Sequence, residues 1–111
     1  MTKHPFNACI EACNACATAC NHCAAACLHE TDVAMMAKCI ELDIECAQIC
    51  AVAAAAMARG GAHAKAICTL CADICQSCSD ECSKHANTHC QECAKACHLC
   101  AQECRKMAAA A

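Results

Sequence analysis

A chain of 111 residues falls within the range of one folding unit, and its formal net charge of −3 supplies no basic face. With one Phe, no Trp and no Tyr, it lacks both the clustered cations and the stacking rings that nucleic acid binding requires. The same scarcity of large apolar side chains leaves the interior to Ala and to 19 Cys.

The first helix is expected over about 5–28, with Pro5 in its first turn. It carries Cys9, Cys13, Cys16, Cys20, Cys23 and Cys27, with steps of 4, 3, 4, 3 and 4. That alternation is a heptad a/d seam, so the sulfurs line one helix face. His29 to Asp32 interrupts the seam, and Thr31 has the chemistry of an N-cap for a second helix over about 32–59. This helix keeps the register but fills it as Met36, Cys39, Asp43, Cys46, Cys50, Ala53 and Met57. Gly60 and Gly61 follow Arg59, as a helix C-terminus favours.

A third helix, about 62–85, carries Cys68, Cys71, Cys75, Cys78 and Cys82. A fourth, about 88–108, carries Cys90, Cys93, Cys97, Cys100 and Cys104. Between Cys82 and Cys90 the seam slips by one residue, and Thr88 with Gln91 has capping-box spacing there. Each half of the chain reads as a helical hairpin, a weak internal repeat. Short links favour antiparallel neighbours. The fold expected is all-α: a single-domain, antiparallel up-down-up-down four-helix bundle over 1–111, with the Cys seams facing the core.

The first thirty residues hold one lysine, and Asn7, Glu11, Asn14, Asn21 and His22 interrupt any apolar stretch, so no signal peptide is read there. The most apolar run, Ala51 to Ala58, is too short to cross a bilayer. A cytoplasmic location follows as the expectation, with thiols kept reduced and no membrane partner. The odd cysteine count agrees with free thiols.

Helical geometry sharpens that expectation. Residues four apart, such as Cys16/Cys20 or Cys71/Cys75, place their Cβ atoms about 5–6 Å apart. A disulfide wants about 3.5–4.5 Å, whereas a metal bridging two sulfurs accepts the longer gap. Thiolate selects soft ions: Cu(I), Zn or iron–sulfur clusters. Charge decides among them. A Zn site with four thiolates carries net negative charge, and several such sites in one dry bundle would be costly. One Cu(I) per thiolate stays neutral at every loading. The ferredoxin run Cx2Cx2Cx3CP is absent, and the Cx2C pairs lie within helices instead of on zinc-knuckle turns. With no phosphate loop, no Ser/His/Asp arrangement and two Gly in all, no enzyme is expected.

These seams resemble those of the bacterial copper storage proteins, the Csp family, in their cytosolic form. The resemblance is carried by the run Cys9 to Cys27, by Cys39-x3-Asp43-x2-Cys46-x3-Cys50, by CTLCADICQSC from Cys68 to Cys78, and by CQECAKACHLCAQEC from Cys90 to Cys104. It covers nearly the whole chain. It implies a four-helix bundle holding multiple Cu(I) ions along its core through Cys pairs and thiolate-bridged clusters, and a homotetramer of bundles. Ile67, Leu70 and Ile74 beside the seam suit packing of helix on helix or bundle on bundle.

Antiparallel helices gather His29, Met36, His85 and His89 at one end, near Cys27, Cys39, Cys82 and Cys90. The other end gathers Phe6, Ala53, Met57, Ala64 and Met107. In the family the His-bearing end resembles the mouth where Cu(I) enters. Imidazole and thioether can pass a soft ion inward by ligand exchange. Asp43 fills a slot where Cys is expected, so it needs a partner: an ion, a hydrogen-bond donor, or a Lys or His. The candidate metal residues are the 19 Cys with Asp43, His85, His89 and Met36. Met57 and Met107 read as an apolar plug, and His22 and His98 as surface or helix-interface residues.

The function expected is cytosolic copper storage for sequestration, detoxification or supply, with a copper chaperone or an efflux protein as the partner that exchanges metal. The alternatives are a metallothionein-like zinc or mixed-metal buffer and an iron–sulfur redox protein. Zinc competition separates the first from copper storage, and visible colour separates the second.

Overall fold

The computed structural model describes residues 6–110. Pro5, expected in the first helical turn, lies outside them. Four helices follow in order: α1, Asn7–Cys27; α2, Ala37–Arg59; α3, Ala64–Cys82; and α4, Thr88–Ala109. No strand occurs among the described residues. α1 packs on α2, α2 on α3, α3 on α4, and α4 closes against α1. The molecule is a rod, 48 × 24 × 17 Å.

The seams decide which faces meet. In α1 the buried set is Cys9, Ala12, Cys13, Cys16, Cys20, Cys23, Ala24 and Cys27, the heptad face with small flanking residues. The corresponding faces of α3 and α4 are equally sulfur-lined. Small side chains at Ala12, Ala47, Ala72 and Ala94 beside the seams are buried too, where larger ones would hold the helices apart. α2 contributes Cys39, Asp43, Cys46, Cys50, Ala53 and Met57 to the same interior, the mixed seam expected from its sequence. Ile10, Ile40, Ile49, Ile67 and Ile74 pack part-buried around it.

Helix ends differ from expectation in two places. Thr31 does not cap the second helix. Asp32 caps the 3-10 turn over Val33–Met36 that precedes it, its carboxylate accepting from the Met35 N–H at 3.4 Å, and α2 itself starts after Met36 without a side-chain cap. An Asp oxygen one residue later reaches that N–H, and the tight turn delays α2 by about one helical turn relative to the expected start. Thr88 and Gln91 form no capping box. Asn87 holds the N-cap position without a side-chain bond, and the Gln91 amide instead donates to the Ser83 and His85 carbonyls at 3.2 and 2.6 Å. Those carbonyls belong to the link after α3, which ends at Cys82 and so absorbs the one-residue slip in the seam.

α2 stops as the sequence indicates. Gly60 has φ +62, its N–H bonds the Met57 carbonyl at 3.0 Å, and the Gly61 N–H bonds the Ala56 carbonyl at 2.9 Å. This is the paired closure of a Schellman end. A Cβ at Gly60 meets nothing within 4 Å, so a substitution there carries backbone strain alone. Gly60→Ala is therefore expected to destabilise the metal-free bundle by about 1–2 kcal/mol, read as a lower midpoint in chemical denaturation with an unchanged helical spectrum.

Candidate metal centre

All 19 Cys are free thiols, and none is more than 1% exposed. Along each helix the i, i+4 pairs bring sulfurs close: Cys23/Cys27, Cys71/Cys75, Cys78/Cys82 and Cys93/Cys97 at 3.8 Å, and Cys46/Cys50 at 4.0 Å. Contacts between helices are tighter. Cys16 and Cys20 of α1 each lie 3.5 Å from Cys97 of α4, and Cys39 of α2 lies 3.3 Å from Cys82 of α3. Cys46 meets both Cys75, at 3.5 Å, and Cys97, at 3.9 Å. These separations far exceed a disulfide bond of about 2.05 Å. They fall short of the roughly 4.6 Å that two collinear metal–sulfur bonds of about 2.3 Å would span. A modest side-chain rotation, or a bent or bridged geometry, closes that difference.

The thiols form overlapping fours rather than isolated sites. Cys13, Cys71, Cys100 and Cys104 lie within 4.8 Å of one another, as do Cys16, Cys46, Cys50 and Cys75, and also Cys20, Cys78, Cys93 and Cys97. Cys23, Cys27, Cys39 and Cys90 make a further set at the histidine-bearing end. Because Cys16 and Cys46 also group with Cys20 and Cys97, one set shares sulfurs with the next. An ion held by one set has its next ligands within reach.

Burial raises the thiols at both ends of the line: Cys27 to about 11, with Cys90 and Cys68 also above the ordinary range. Desolvation opposes the thiolate throughout this buried line, and S–H groups pack there as small apolar side chains do.

Asp43 is fully buried in the sulfur array. Its Oδ1 accepts from Cys78, Cys82 and Cys93 at 3.2–3.3 Å, and its Oδ2 from Cys39 at 3.7 Å. Among the partners foreseen from sequence, hydrogen-bond donors are the kind found, and they are thiols, with no Lys or His contact among the described residues. Burial pushes this carboxyl up to about 10.

The mouth residues separate into two groups. His89 reaches the sulfurs: its Nδ1 lies 3.5 Å from Cys23 and Cys90 and 3.8 Å from Cys27. Its Nε2 lies 3.0 Å from Glu30 Oε1. His85 instead turns to Glu81, with Nε2 2.9 Å from Oε2, while Lys84 pairs with the other Glu81 oxygen at 3.6 Å. Met36 is buried and, with His85, Met35 and Glu30, lines a surface cavity of about 300 Å³. His29, His22 and His98 are exposed. At the other end Met57 is fully buried, and Phe6 and Met107 pack part-buried against the core.

Glu30 and Glu81 escaped the sequence reading. Glu81 sits four residues before His85, a spacing that pairs side chains on a helix, so that signal was present. Glu30 and His89 are 59 residues apart, and only the folded bundle brings them together.

The model of the copper storage protein family, Csp, matches residues 2–109. The Bacillus subtilis (strain 168) protein YhjQ, described as an uncharacterized cysteine-rich protein, is 56% identical over 78 residues, which is 70% of this chain and 72% of that protein. Among solved structures, the Cu(I)-bound copper storage protein BsCsp3 is 55% identical with a TM-score of 0.90, covering 93% of this chain and 97% of its own. A cytosolic copper storage protein from Streptomyces lividans, with five coppers, is 40% identical with a TM-score of 0.92, covering 96% of this chain and 93% of its own.

With every sulfur buried, native reduced protein is expected to react slowly with an aromatic disulfide reagent. The same protein in denaturant should release the full complement of 19 thiols at once, counted by absorbance.

Proposed function

This chain belongs to the copper storage protein family, and from that membership we propose that it stores many Cu(I) ions through the thiolates of its bundle core. The observation that carries the reading is the continuity of the sulfur array: groups of four thiols extend from Cys13 near one end to Cys27 near the other. The middle ones share sulfurs, and the outer two are joined to them through Cys50–Cys100 at 3.8 Å and through Cys39–Cys82 at 3.3 Å, with Cys82 in turn 3.8 Å from Cys78. A single structural or catalytic ion needs one such group. A reservoir needs many equivalent ones, each handing on to the next.

The chemistry favours a monovalent ion throughout. Each entering Cu(I) displaces a thiol proton and leaves a neutral unit. The dry interior therefore accumulates no charge as it fills, and avoids the several kcal/mol per uncompensated ion that burial imposes. Zinc would leave surplus negative charge at every four-thiolate site. Thiolate softness also selects Cu(I) over harder ions.

In this reading the 19 Cys are the ligands. Asp43 joins or positions the ions held by Cys39, Cys78, Cys82 and Cys93. His89, next to Cys23, Cys27 and Cys90, is the ligand of the entry end, and Met36 and His85 line its approach. The chain acts as one storage unit, in the cytosol, and exchanges copper with a chaperone or an efflux protein. No reaction is assigned to it. No helix of the structure is long and apolar enough to cross a membrane.

Anaerobic titration of the reduced protein with Cu(I) against a competing chelator tests the proposal. Binding is expected to continue until the ions per chain approach the cysteine count, whereas Zn stops after a few. Saturation at one or two Cu(I) per chain would rule storage out.

The homotetramer is what the family resemblance implies, and Ile44, Val52, Leu70 and Leu99, exposed at 47–51% on the outer helix faces, offer apolar surface for such packing. Light scattering coupled to size exclusion should then give four times the 11.5 kDa chain mass, and an 11.5 kDa species would refute it.

A further inference from the structure

Glu30 lies on the link between α1 and the 3-10 turn, outside the sulfur seam. Its Oε1 is 3.0 Å from His89 Nε2, across the mouth from α4. A surface carboxyl such as Glu30 is ionised at neutral pH. An ionised carboxylate only accepts, so Nε2 must carry the proton. In the neutral ring this leaves Nδ1 as the unprotonated nitrogen. Nδ1 is the atom that faces inward, 3.5 Å from Cys23 and Cys90 and 3.8 Å from Cys27. The imidazole is 14% exposed, so one edge meets solvent while the other touches the first thiols of the array.

We propose that Glu30 is a positioning residue for copper entry: it clamps His89 so that the lone pair of Nδ1 points at the Cys23, Cys27 and Cys90 sulfurs. The inference rests on the storage reading and deepens it. An entering ion bound by Nδ1 finds three sulfurs within one ligand exchange. A ring flipped about its χ2 bond would put the Cδ2 carbon where Nδ1 stands and leave the sulfurs facing a C–H with no lone pair. A carboxylate that fixes a ligand imidazole through its second nitrogen is a recurrent device in metal sites, and its removal costs about 10–100-fold in affinity or activity. The second mouth histidine does not share this arrangement. His85 places its Nε2 against Glu81, four residues earlier at the end of α3, and among the described residues no hydrogen bond joins its ring to a sulfur.

Stopped-flow loading of the reduced full-length protein from a Cu(I)–chelator complex tests the clamp, alongside the His89 Nε2–H resonance in a 15N-histidine sample. In Glu30→Ala the early loading rate should fall about 10-fold. The Nε2–H signal should be lost to exchange with water. Glu30→Gln retains an accepting oxygen and should restore most of both. The double variant Glu30→Ala/His89→Ala should load no more slowly than His89→Ala alone, because the carboxylate acts through the ring. Equal slowing by Glu30→Ala with and without His89 would overturn the proposal and identify Glu30 as a simple attractor of cations. So would an unchanged rate and resonance in Glu30→Ala. Wild-type capacity in the same experiment reads storage independently: a wild type that binds only one or two ions refutes the storage reading itself, while full capacity with an indifferent Glu30 refutes the clamp alone.

Discussion

Sulfur sharing a dry axis is the constraint to which the rest of the molecule answers. The thiols touch one another at 3.3–4.0 Å along the bundle, too close and too deeply buried to coexist as bare thiolates. They therefore exist in one of two neutral states. As S–H groups they pack like small apolar side chains, and the helices close around them. As thiolates each must hold a cation of single charge. Both states leave the interior uncharged, so filling adds no net charge to the dry core. The Ala residues beside the seams follow from the same constraint: a core built of side chains this small is continuous only if the helices approach closely.

Asp43 tests the rule and conforms to it. An ionised carboxylate at this depth would be the one uncompensated charge in the array. Burial instead favours the protonated acid, and four thiols of three helices surround its oxygens. It is an oxygen position in a line of sulfurs, held in its neutral form by its burial.

Polarity along the rod gives the array a direction. At one end Met57 is fully buried and Phe6 and Met107 pack part-buried against the core. The other carries two histidines, each bonded to a carboxylate, beside a cavity lined by Met35 and Met36. The two histidines differ in what they face: His89 meets sulfur, and His85 meets Glu81. The sulfurs of Cys23, Cys27 and Cys90 thus stand directly behind an imidazole.

The seam spacing of 3 and 4 determined by itself that the helices exist, that each turns sulfur inward, and that Asp43 stands among Cys neighbours, because a heptad pattern encodes which side of a helix is buried whatever it packs against. The Gly60 end was equally legible, since a left-handed residue at a helix terminus favours Gly. Helix starts were less so: Asp32 displaced Thr31, and Gln91 turned to carbonyls of the preceding link, because capping depends on which oxygen or N–H the folded turn brings within reach. Tertiary structure alone decided which sulfurs meet across helices, that His89 and not His85 touches them, and that Glu30 stands behind it. Those are contacts between residues dozens of positions apart, and periodicity records the face a residue occupies but not the partner that faces it.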